Sequence, residues 1–561
     1  MPATAKVQPR VATALLALSM FLTGASGFVF ECILSTVATF ILGNSIEQFS
    51  VTISLMMLMM GVAGVCQRLL SDAHLVEKFL IVEVSLALLG GFAPIAVYGS
   101  YATMEMHYVA VQYFFVLAIG FLIGLEIPLV LRINRAYVPQ LKSNIAAVFS
   151  TDYLGAFIGA VVWVYVLLRH FPLTETSFFV AGMNFAVACI AYAYFSFHGA
   201  ASRRMAAIGL IAATAGALTF GYARNRDWSQ LFEQRFYTEP IAFSQTTKYQ
   251  RLVLTASPNP VDYRLYINGN LQFSSLDEHI YHEMLVHPAL RLARDPSRVL
   301  ILGGGDGLAL REVLKHDGVK HVTLVDIDPD MIRFAATHDV MTELNGGAFA
   351  DARVLADVAA EPSVRSGTVP LYGYAGEEEG AVEQAAMVGV YTIDADKFLA
   401  TAEGLYGVVL IDLPDPNSVE LVKLYSREFY LRLAGSLDAG GVIAMQATSP
   451  YHAKESFLCI LRTLRSAGYK VLPFHENVPS FGDWGWILAW RSPESVPAVL
   501  DRIDYLQDFG VPDQELKYLT PRRFRASTTF GKGGLEAENH DVNTLMHPVL
   551  LRLYLTESWL R

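Results

Sequence analysis

Charge is scarce in this chain, and cysteine is scarcer. Asp, Glu, Lys and Arg make up 17% of the 561 residues against 53% hydrophobic, which is too apolar for a soluble chain of this length. The 4 cysteines, Cys32, Cys66, Cys189 and Cys459, are scattered, and no paired spacing suggests a zinc site or a disulfide framework. A basic surplus is missing too: the net charge of −11 argues against nucleic acid as a partner and suits a cationic ligand, although many bland domains are equally acidic. No repeat of solenoid type is present.

What is there falls into two parts. Almost all the apolar excess precedes residue 223, in runs at roughly 11–42, 51–69, 78–98, 108–131, 146–168, 175–197 and 205–222. Each can cross a hydrocarbon core of about 30 Å, so residues 1–222 read as a membrane domain of about seven transmembrane helices, the first long enough to tilt or kink around Gly24 and Gly27. Lys6 and Arg10 ahead of an apolar run also fit a signal peptide, but the run continues through Ile41, past any cleavage point near Gly24-Ala-Ser-Gly27, so an uncleaved first helix is expected. Arg68, Lys78, Arg132, Arg135, Lys142, Arg203 and Arg204 lie in alternate loops, and the loops between, 43–50 and 99–107, carry acids and no Lys or Arg. That asymmetry puts the basic loops and the amino terminus in the cytoplasm of a multi-pass inner-membrane protein. Seven full crossings would then leave residue 223 outside, whereas Arg224 and Arg226 favour the inside; the short, Ala- and Gly-rich last segment is the one most readily read as not traversing. Glu31, Glu126 and Asp152 fall within spans, where an acid serves either a path for an organic cation or protons or an interhelical hydrogen bond helped by the small residues Gly155, Gly159 and Ala160.

Residues 223–285 read as a small antiparallel β subdomain and linker, with strands at 250–255 and 263–268 and a turn at Asn268-Gly-Asn270. The spacing Ser275-Leu-Asp-Glu278 predicts a capping box opening a helix through Tyr281, His282 and Glu283. Then comes Val299-Leu-Ile-Leu-Gly-Gly-Gly-Asp-Gly307, followed by Val325-Asp-Ile-Asp-Pro329. A buried strand ending in glycines, a helix, and a second strand ending in an acid is the layout of a nucleoside-binding βαβ unit: Gly303 and Gly305 let a ligand touch backbone, and Asp326 is placed to hold a ribose diol. Further strands at 321–326, 390–394, 407–412 and 441–446 extend an α/β Rossmann-like domain over 286–491, and a helical extension occupies 492–561. The glycine-rich, polar stretch 356–389 interrupts it as a lid or a disordered insertion.

In chain order stand Tyr249-Gln250, Leu271-Gln272, Asp277-Glu-x-x-Tyr281-His-Glu283, Gly303-Gly-Gly-Asp-Gly307, Asp326-Ile-Asp328, Asp394, Asp412-x-x-Asp415-Pro416 and Leu424-Tyr-Ser-x-x-Phe-Tyr430. This series, from about 245 to 491, resembles the spermidine synthase family, the polyamine aminopropyltransferases, and the apolar amino-terminal part resembles its multi-pass membrane branch. The resemblance implies a class I methyltransferase-type fold, decarboxylated S-adenosylmethionine as cosubstrate with no tightly bound cofactor and no metal, a diamine or polyamine acceptor, and a homodimer. It implies that Asp326 binds the ribose hydroxyls, Asp394 the adenine amino group, Gln250 the cosubstrate, and Asp306 the ammonium of the aminopropyl arm. A methyl donor carries a carboxylate that Asp306 would repel.

Asp412 ends the strand Val408-Val-Leu-Ile411, so its carboxylate emerges at the ligand edge of the sheet; resemblance makes it the base that draws a proton from the attacking amine, with Asp415, Tyr281 and His282 orienting the diamine. Turn capping by Asp412 and Asp415, and plain packing by Tyr281 and His282, are the alternatives. Asp412-Leu-Pro-Asp-Pro-Asn-Ser418 lacks the family's Ser or Thr beside the acids and the Gly-Pro after them, and Asp326 stands where the family usually has Glu. Trp484 is either a stacking wall for the amine or a core residue. The function that follows is a membrane-tethered aminopropyltransferase; the other readings are a small-molecule methyltransferase and a transporter or sensor whose enzyme-like domain binds polyamines.

Overall fold

Apolar length decides the architecture of the first 238 residues. In this computed structural model, which describes residues 8–42, 45–103, 107–199, 204–354, 387–402 and 404–557, seven long helices follow one another. They are α1 (Pro9–Leu42), α2 (Ser45–Cys66), α3 (Leu75–Thr103), α4 (Tyr108–Asn134), α5 (Leu141–Val162, continued by a π turn at Trp163–Leu167), α6 (Leu173–Phe197) and α7 (Arg204–Gln234). At about 1.5 Å rise per residue, the 22-residue helix α2 is about 33 Å long, and all seven are long and apolar enough to cross a membrane. The last helix is not short, as the sequence reading has it. It runs 31 residues, because the polar stretch after 222 stays helical and Arg224 pairs with Asp227 one turn on at 3.0 Å.

Small residues bring α5 against α1. A Cβ added at Gly159 would lie 2.5 Å from the Ala25 carbonyl oxygen, and Gly155 meets the Phe21 carbonyl more closely still, so the expected small-residue contact joins two backbones directly. Of the acids flagged in the spans, Glu126 is buried while Glu31 and Asp152 are partly exposed. Glu83, which sequence reading passes over, is fully buried with neither carboxyl oxygen partnered.

The second compact unit is Glu239–Arg561, so the division falls after α7 ends rather than at 222. It begins with an antiparallel meander of β1 (Ile241–Thr246), β2 (Arg251–Pro258), β3 (Val261–Ile267) and β4 (Asn270–Ser274). Asn268 (φ 50°) and Gly269 (φ 82°) both adopt left-handed backbone at the β3–β4 turn, the two-residue geometry whose twist matches the strands. Helix α8 (Glu278–Leu292) follows without the expected capping box. Ser275 is turned back into the sheet, accepting from the Tyr263 amide at 2.9 Å, and Asp277 accepts from the Ser480 amide at 2.6 Å and its hydroxyl at 2.9 Å instead. Tertiary partners outbid the local cap.

A seven-stranded sheet forms the centre. Its strands are β5 (Arg298–Gly303), β6 (His321–Asp326), β7 (Met387–Thr392), β8 (Tyr406–Asp412), β9 (Leu437–Gln446), β10 (Lys470–Val478) and β11 (Gly482–Trp490), in the order β10-β11-β9-β8-β5-β6-β7. Strands β5 to β9 run parallel, and β10 and β11 close one edge antiparallel. The continuous apolar run of β5 is explained by burial on both faces: Val299 and Ile301 enter one core, Leu300 and Leu302 the other. Strand order reverses between β5 and β8, where a doubly wound sheet opens a crevice beyond its carboxyl ends. In the register Gly303 faces Asp412 across that switch point.

Connecting helices include α9 (Leu308–Val313), α10 (Pro329–Thr337), α11 (Asp339–Leu344), α12 (Ala395–Thr401), α13 (Val419–Val422), α14 (Arg427–Leu433) and α15 (Lys454–Ser466); the carboxyl-terminal segment adds α16 (Val496–Asp504), α17 (Pro521–Ser527) and α18 (Val549–Glu557). Most of the expected insertion 356–389 lies outside the described residues.

Candidate active site

The glycine loop and two strand ends build the site. Gly303 (φ 86°) lies so close to the Asp412 carbonyl that no Cβ fits, and the Gly304 amide donates to that carbonyl at 3.1 Å. At Gly305 a Cβ would stand 2.7 Å from Asp326 Oδ2, which accepts the Gly305 amide at 3.1 Å. Sequence reading gives these glycines to a ligand; in the structure each also makes room for a neighbouring acid. Asp326 Oδ1 takes the Asp328 amide at 2.8 Å. Burial, reinforced by Asp328 and Asp306 and opposed by the two amides, pushes Asp326 up to about 7.

Asp306 is fixed by the Leu308 amide, 2.9 Å from Oδ1. One side-chain atom each of His282, Asp306 and Asp412 lies within 4.8 Å of the others. Burial, with the nearby Asp412 carboxylate, raises Asp306 to about 6 even though His282 opposes the rise. His282 shares Nδ1 between the Glu278 carbonyl at 2.7 Å and Glu278 Oε2 at 2.9 Å. Burial alone would lower its pKa; the Glu278 hydrogen bond and charge, with Asp306 and Asp412, outweigh it and raise the imidazole to about 9. His282, with its imidazole pKa raised, thus faces the carboxyls of Asp306 and Asp412 across a buried space.

Tyr281 donates its hydroxyl to Asp412 Oδ1 at 2.7 Å, and burial together with that acid holds the phenol well above its usual range. Asp415, three residues beyond, is also reached by a phenol: Tyr554 of α18 donates to its Oδ2 at 2.7 Å, while Oδ1 is buried without a partner. Burial raises Asp415 to about 6, and hydrogen bonds from Tyr554 and then Gln446 oppose the rise. Trp486, on β11, packs on Tyr281 with ring centroids 5.6 Å apart, and Phe481 does so at 6.3 Å. Trp484 sits one ring further out, 5.0 Å from Phe481, its indole nitrogen unpartnered. The same alternation that puts 484 and 486 on one face of the strand would have nominated Trp486.

The two other expected nucleoside contacts, Asp394 and Gln250, are held by local partners. Asp394 lies past the end of β7 rather than within a strand: Oδ1 caps α12, accepting from Asp396 and Lys397 at 3.0 and 3.1 Å, and Oδ2 pairs with Lys423 at 2.6 Å. Although burial opposes it, Lys423 and the amides hold this carboxyl below its usual range. Gln250 stands in the β1–β2 turn, its amide donating to Thr247 Oγ1 at 3.0 Å, and its side chain bonds Asp328. Asp328 is itself bound by Thr247 at 2.7 Å and caps α10.

Behind His282 runs a buried ion network with no trace in any local pattern. Arg311 forks onto both Glu278 oxygens at 2.9 Å and reaches Glu312 at 2.8 Å; Glu312 meets Lys315 at 2.7 Å and His287 at 2.9 Å, and His287 meets His316 at 2.7 Å. Glu283, on the next turn of α8, accepts the amides of Lys517, Tyr518 and Leu519 at 2.7, 3.0 and 2.7 Å, tying the carboxyl-terminal segment to the helix that carries Tyr281.

Comparison with known proteins accounts for this combination. The family model described as "Spermine/spermidine synthase domain" matches residues 278–359 and 379–500. "Polyamine aminopropyltransferase 1" of Streptomyces coelicolor is 37% identical over 559 residues, 98% of this chain and 95% of its own length. The chain belongs to the spermine/spermidine synthase family. "Polyamine aminopropyltransferase" of Leptospira interrogans, another relative, is 33% identical over 96% of this chain and 97% of its own. The family likeness thus takes in the seven apolar helices as well as the sheet. A solved spermidine synthase of Thermotoga maritima overlaps 53% of this chain and 87% of its own at TM-score 0.41 and 22% identity. The domain model of the family stops at residue 500, so α17 and α18, with Tyr554, lie beyond it.

Proposed function

We propose that this aminopropyltransferase moves the aminopropyl group of decarboxylated S-adenosylmethionine to a short diamine such as putrescine, giving spermidine and 5′-methylthioadenosine. The amine lone pair attacks the carbon next to the sulfonium, the carbon–sulfur pair leaves on sulfur, and the nitrogen gives up a proton. Asp412 takes that proton. Tyr281, donating to one oxygen at 2.7 Å, turns the carboxyl so that the other is free to accept. Asp306, opposite the His282 imidazole, binds the ammonium of the aminopropyl arm, and Asp326 holds the ribose hydroxyls through the lone pairs its two amides leave open. Asp394 and Gln250 complete the donor site at its rim. Asp415 takes the distal ammonium of the acceptor, with Trp486 and Phe481 behind Tyr281 and Trp484 outside them.

The observation that carries this reading is the gathering of Asp306, Asp412 and His282 at the carboxyl ends of β5 and β8. Two acids there suit a donor and an acceptor that are both cations. Incubation of the purified full chain with the decarboxylated donor and a panel of diamines, read by product mass, tests it; absence of any aminopropyl product would end the reading.

The seven apolar helices support a multi-pass membrane protein, for which the inner membrane is the location expected, with residues 1–238 as the membrane unit and 239–561 carrying the small β part, the Rossmann-like part and the carboxyl-terminal extension. Adenosyl donors are made in the cytoplasm, so the catalytic unit faces inward and one of the seven helices does not cross in the simple way. A homodimer without nucleic acid is the assembly expected.

A further inference from the structure

We propose that Tyr554, on the carboxyl-terminal helix α18, is an acceptor-positioning residue: it pins one oxygen of Asp415 so that the other is presented to the distal ammonium of the diamine. This rests on the aminopropyl-transfer reading above and assigns the acceptor end of that site to a segment outside the domain that defines the family.

The geometry is specific. The Tyr554 hydroxyl donates to Asp415 Oδ2 at 2.7 Å, and Oδ1 is buried with no hydrogen-bond partner. A buried carboxylate oxygen left open is costly unless a cation meets it. The arrangement repeats the one at Asp412, where Tyr281 covers Oδ1, so each of the two acids is oriented by a phenol from a distant element. Tyr554 is itself held in place. Val549 and Leu550 are buried in the sheet core, Glu557 accepts the Glu455 and Ser456 amides at 3.0 and 3.3 Å, and the fully buried Asn543 donates to the carbonyls of Val422 and Tyr425 at 3.0 Å each. Asp415 lies where the 412–418 segment departs from the pattern it resembles, and a donor from the chain terminus stands at that departure.

The charge balance follows. Among the described residues, Tyr554, Tyr425 and Tyr281 are the titratable groups facing Asp415, no cation is among them, and the Gln446 side chain is a further hydrogen-bonding neighbour of the carboxyl. Burial raises the carboxyl to about 6, and the Tyr554 hydroxyl, with a smaller part from Gln446, restrains it. Without that hydroxyl the acid would stay neutral to higher pH, and a neutral acid binds an ammonium poorly.

The test is Tyr554→Phe in the full chain in detergent, against wild type, Asp415→Asn and the double variant. A hydrogen bond to a charged group corresponds to roughly tenfold or more. The diamine KM, and the diamine Kd by calorimetry, should therefore rise about tenfold, with kcat and 5′-methylthioadenosine affinity changing less than about threefold. The acid limb of kcat/KM for the diamine should move up by about one pH unit, and the defect should shrink toward pH 9. Adding Tyr554→Phe to Asp415→Asn should do nothing more. Unchanged diamine KM and Kd, or a loss spread equally over donor and acceptor, would overturn the proposal while leaving aminopropyl transfer intact. If wild type forms no aminopropyl product, the calorimetric arm still decides the role of Tyr554, and it is the transfer reading that fails.

Discussion

Replacing Asp412 by Asn removes a proton acceptor while changing almost nothing else. The side chain keeps its size, and the main-chain carbonyl that accepts the Gly304 amide at 3.1 Å is untouched. The amide oxygen of Asn can still accept the Tyr281 hydroxyl, now 2.7 Å from Oδ1, but the second position becomes an NH2 with no lone pair for the amine proton. Positioned proton transfer contributes about 10² to 10⁴ in rate, or about 3–5 kcal/mol of barrier. Single-turnover formation of 5′-methylthioadenosine should fall by that factor. Calorimetric affinity for 5′-methylthioadenosine should stay within about threefold, because Asp326 ends β6, which β5 separates from β8, and its amide partners Gly305 and Asp328 follow β5 and β6. The deficit should narrow as pH approaches about 10, where the amine begins to lose its proton to solvent. Turnover near that of wild type at neutral pH, or collapse of nucleoside binding along with turnover, would remove Asp412 from proton transfer.

Three further outcomes are expected. Because Asp306 is raised to about 6, donor affinity should be full above that pH and fall below it as the carboxyl protonates; the decarboxylated donor should bind at least about tenfold better than S-adenosylmethionine, and Asp306→Asn should erase the preference, all read by calorimetry. Equal affinity of wild type for the two donors, or methylated products, would favour a methyltransferase. Glu278→Gln removes the carboxylate that Arg311 and His282 share, leaving Arg311 with Glu312 and His282 with Asp306 and Asp412 as their remaining acids, and should cost up to about 3 kcal/mol of unit stability, measured by urea unfolding followed through tryptophan fluorescence. In wild type Glu278 is lowered to about 2 and His282 raised to about 9, so the pair's contribution is complete between about pH 4.5 and 6.5, is lost as pH falls toward 2, and is lost again as pH rises through 9; a flat profile over both limbs would refute the pairing. Impermeant thiol reagents applied to single cysteines at Ser229 and within 356–389 should label only lysed cells if the catalytic unit is cytoplasmic; labelling of both sites in intact cells would place it outside and make an extracytoplasmic binding role the better reading.

The order of apolar runs, the glycine loop after β5, Asp326 at the end of β6 and Asp412 at the end of β8 are all visible in the residues alone. Each depends on local rules: the length needed to cross a bilayer, the period of a strand, the backbone freedom of glycine. Tertiary structure alone decided the rest. Whether Asp412 faces Gly303 is a matter of register between strands more than a hundred positions apart in the chain. Whether Ser275 or Asp277 would cap α8 was settled by partners at Tyr263 and Ser480. Asp394 became a helix cap paired with Lys423, and the His282 imidazole is pushed up because Glu278, one turn earlier, and the acids of two other elements meet it in a buried space. Tyr554 reaches Asp415 from 139 residues away. No periodicity carries such contacts, since a side chain's charge and hydrogen bonds are set by what is packed against it, and packing joins segments that the sequence leaves far apart.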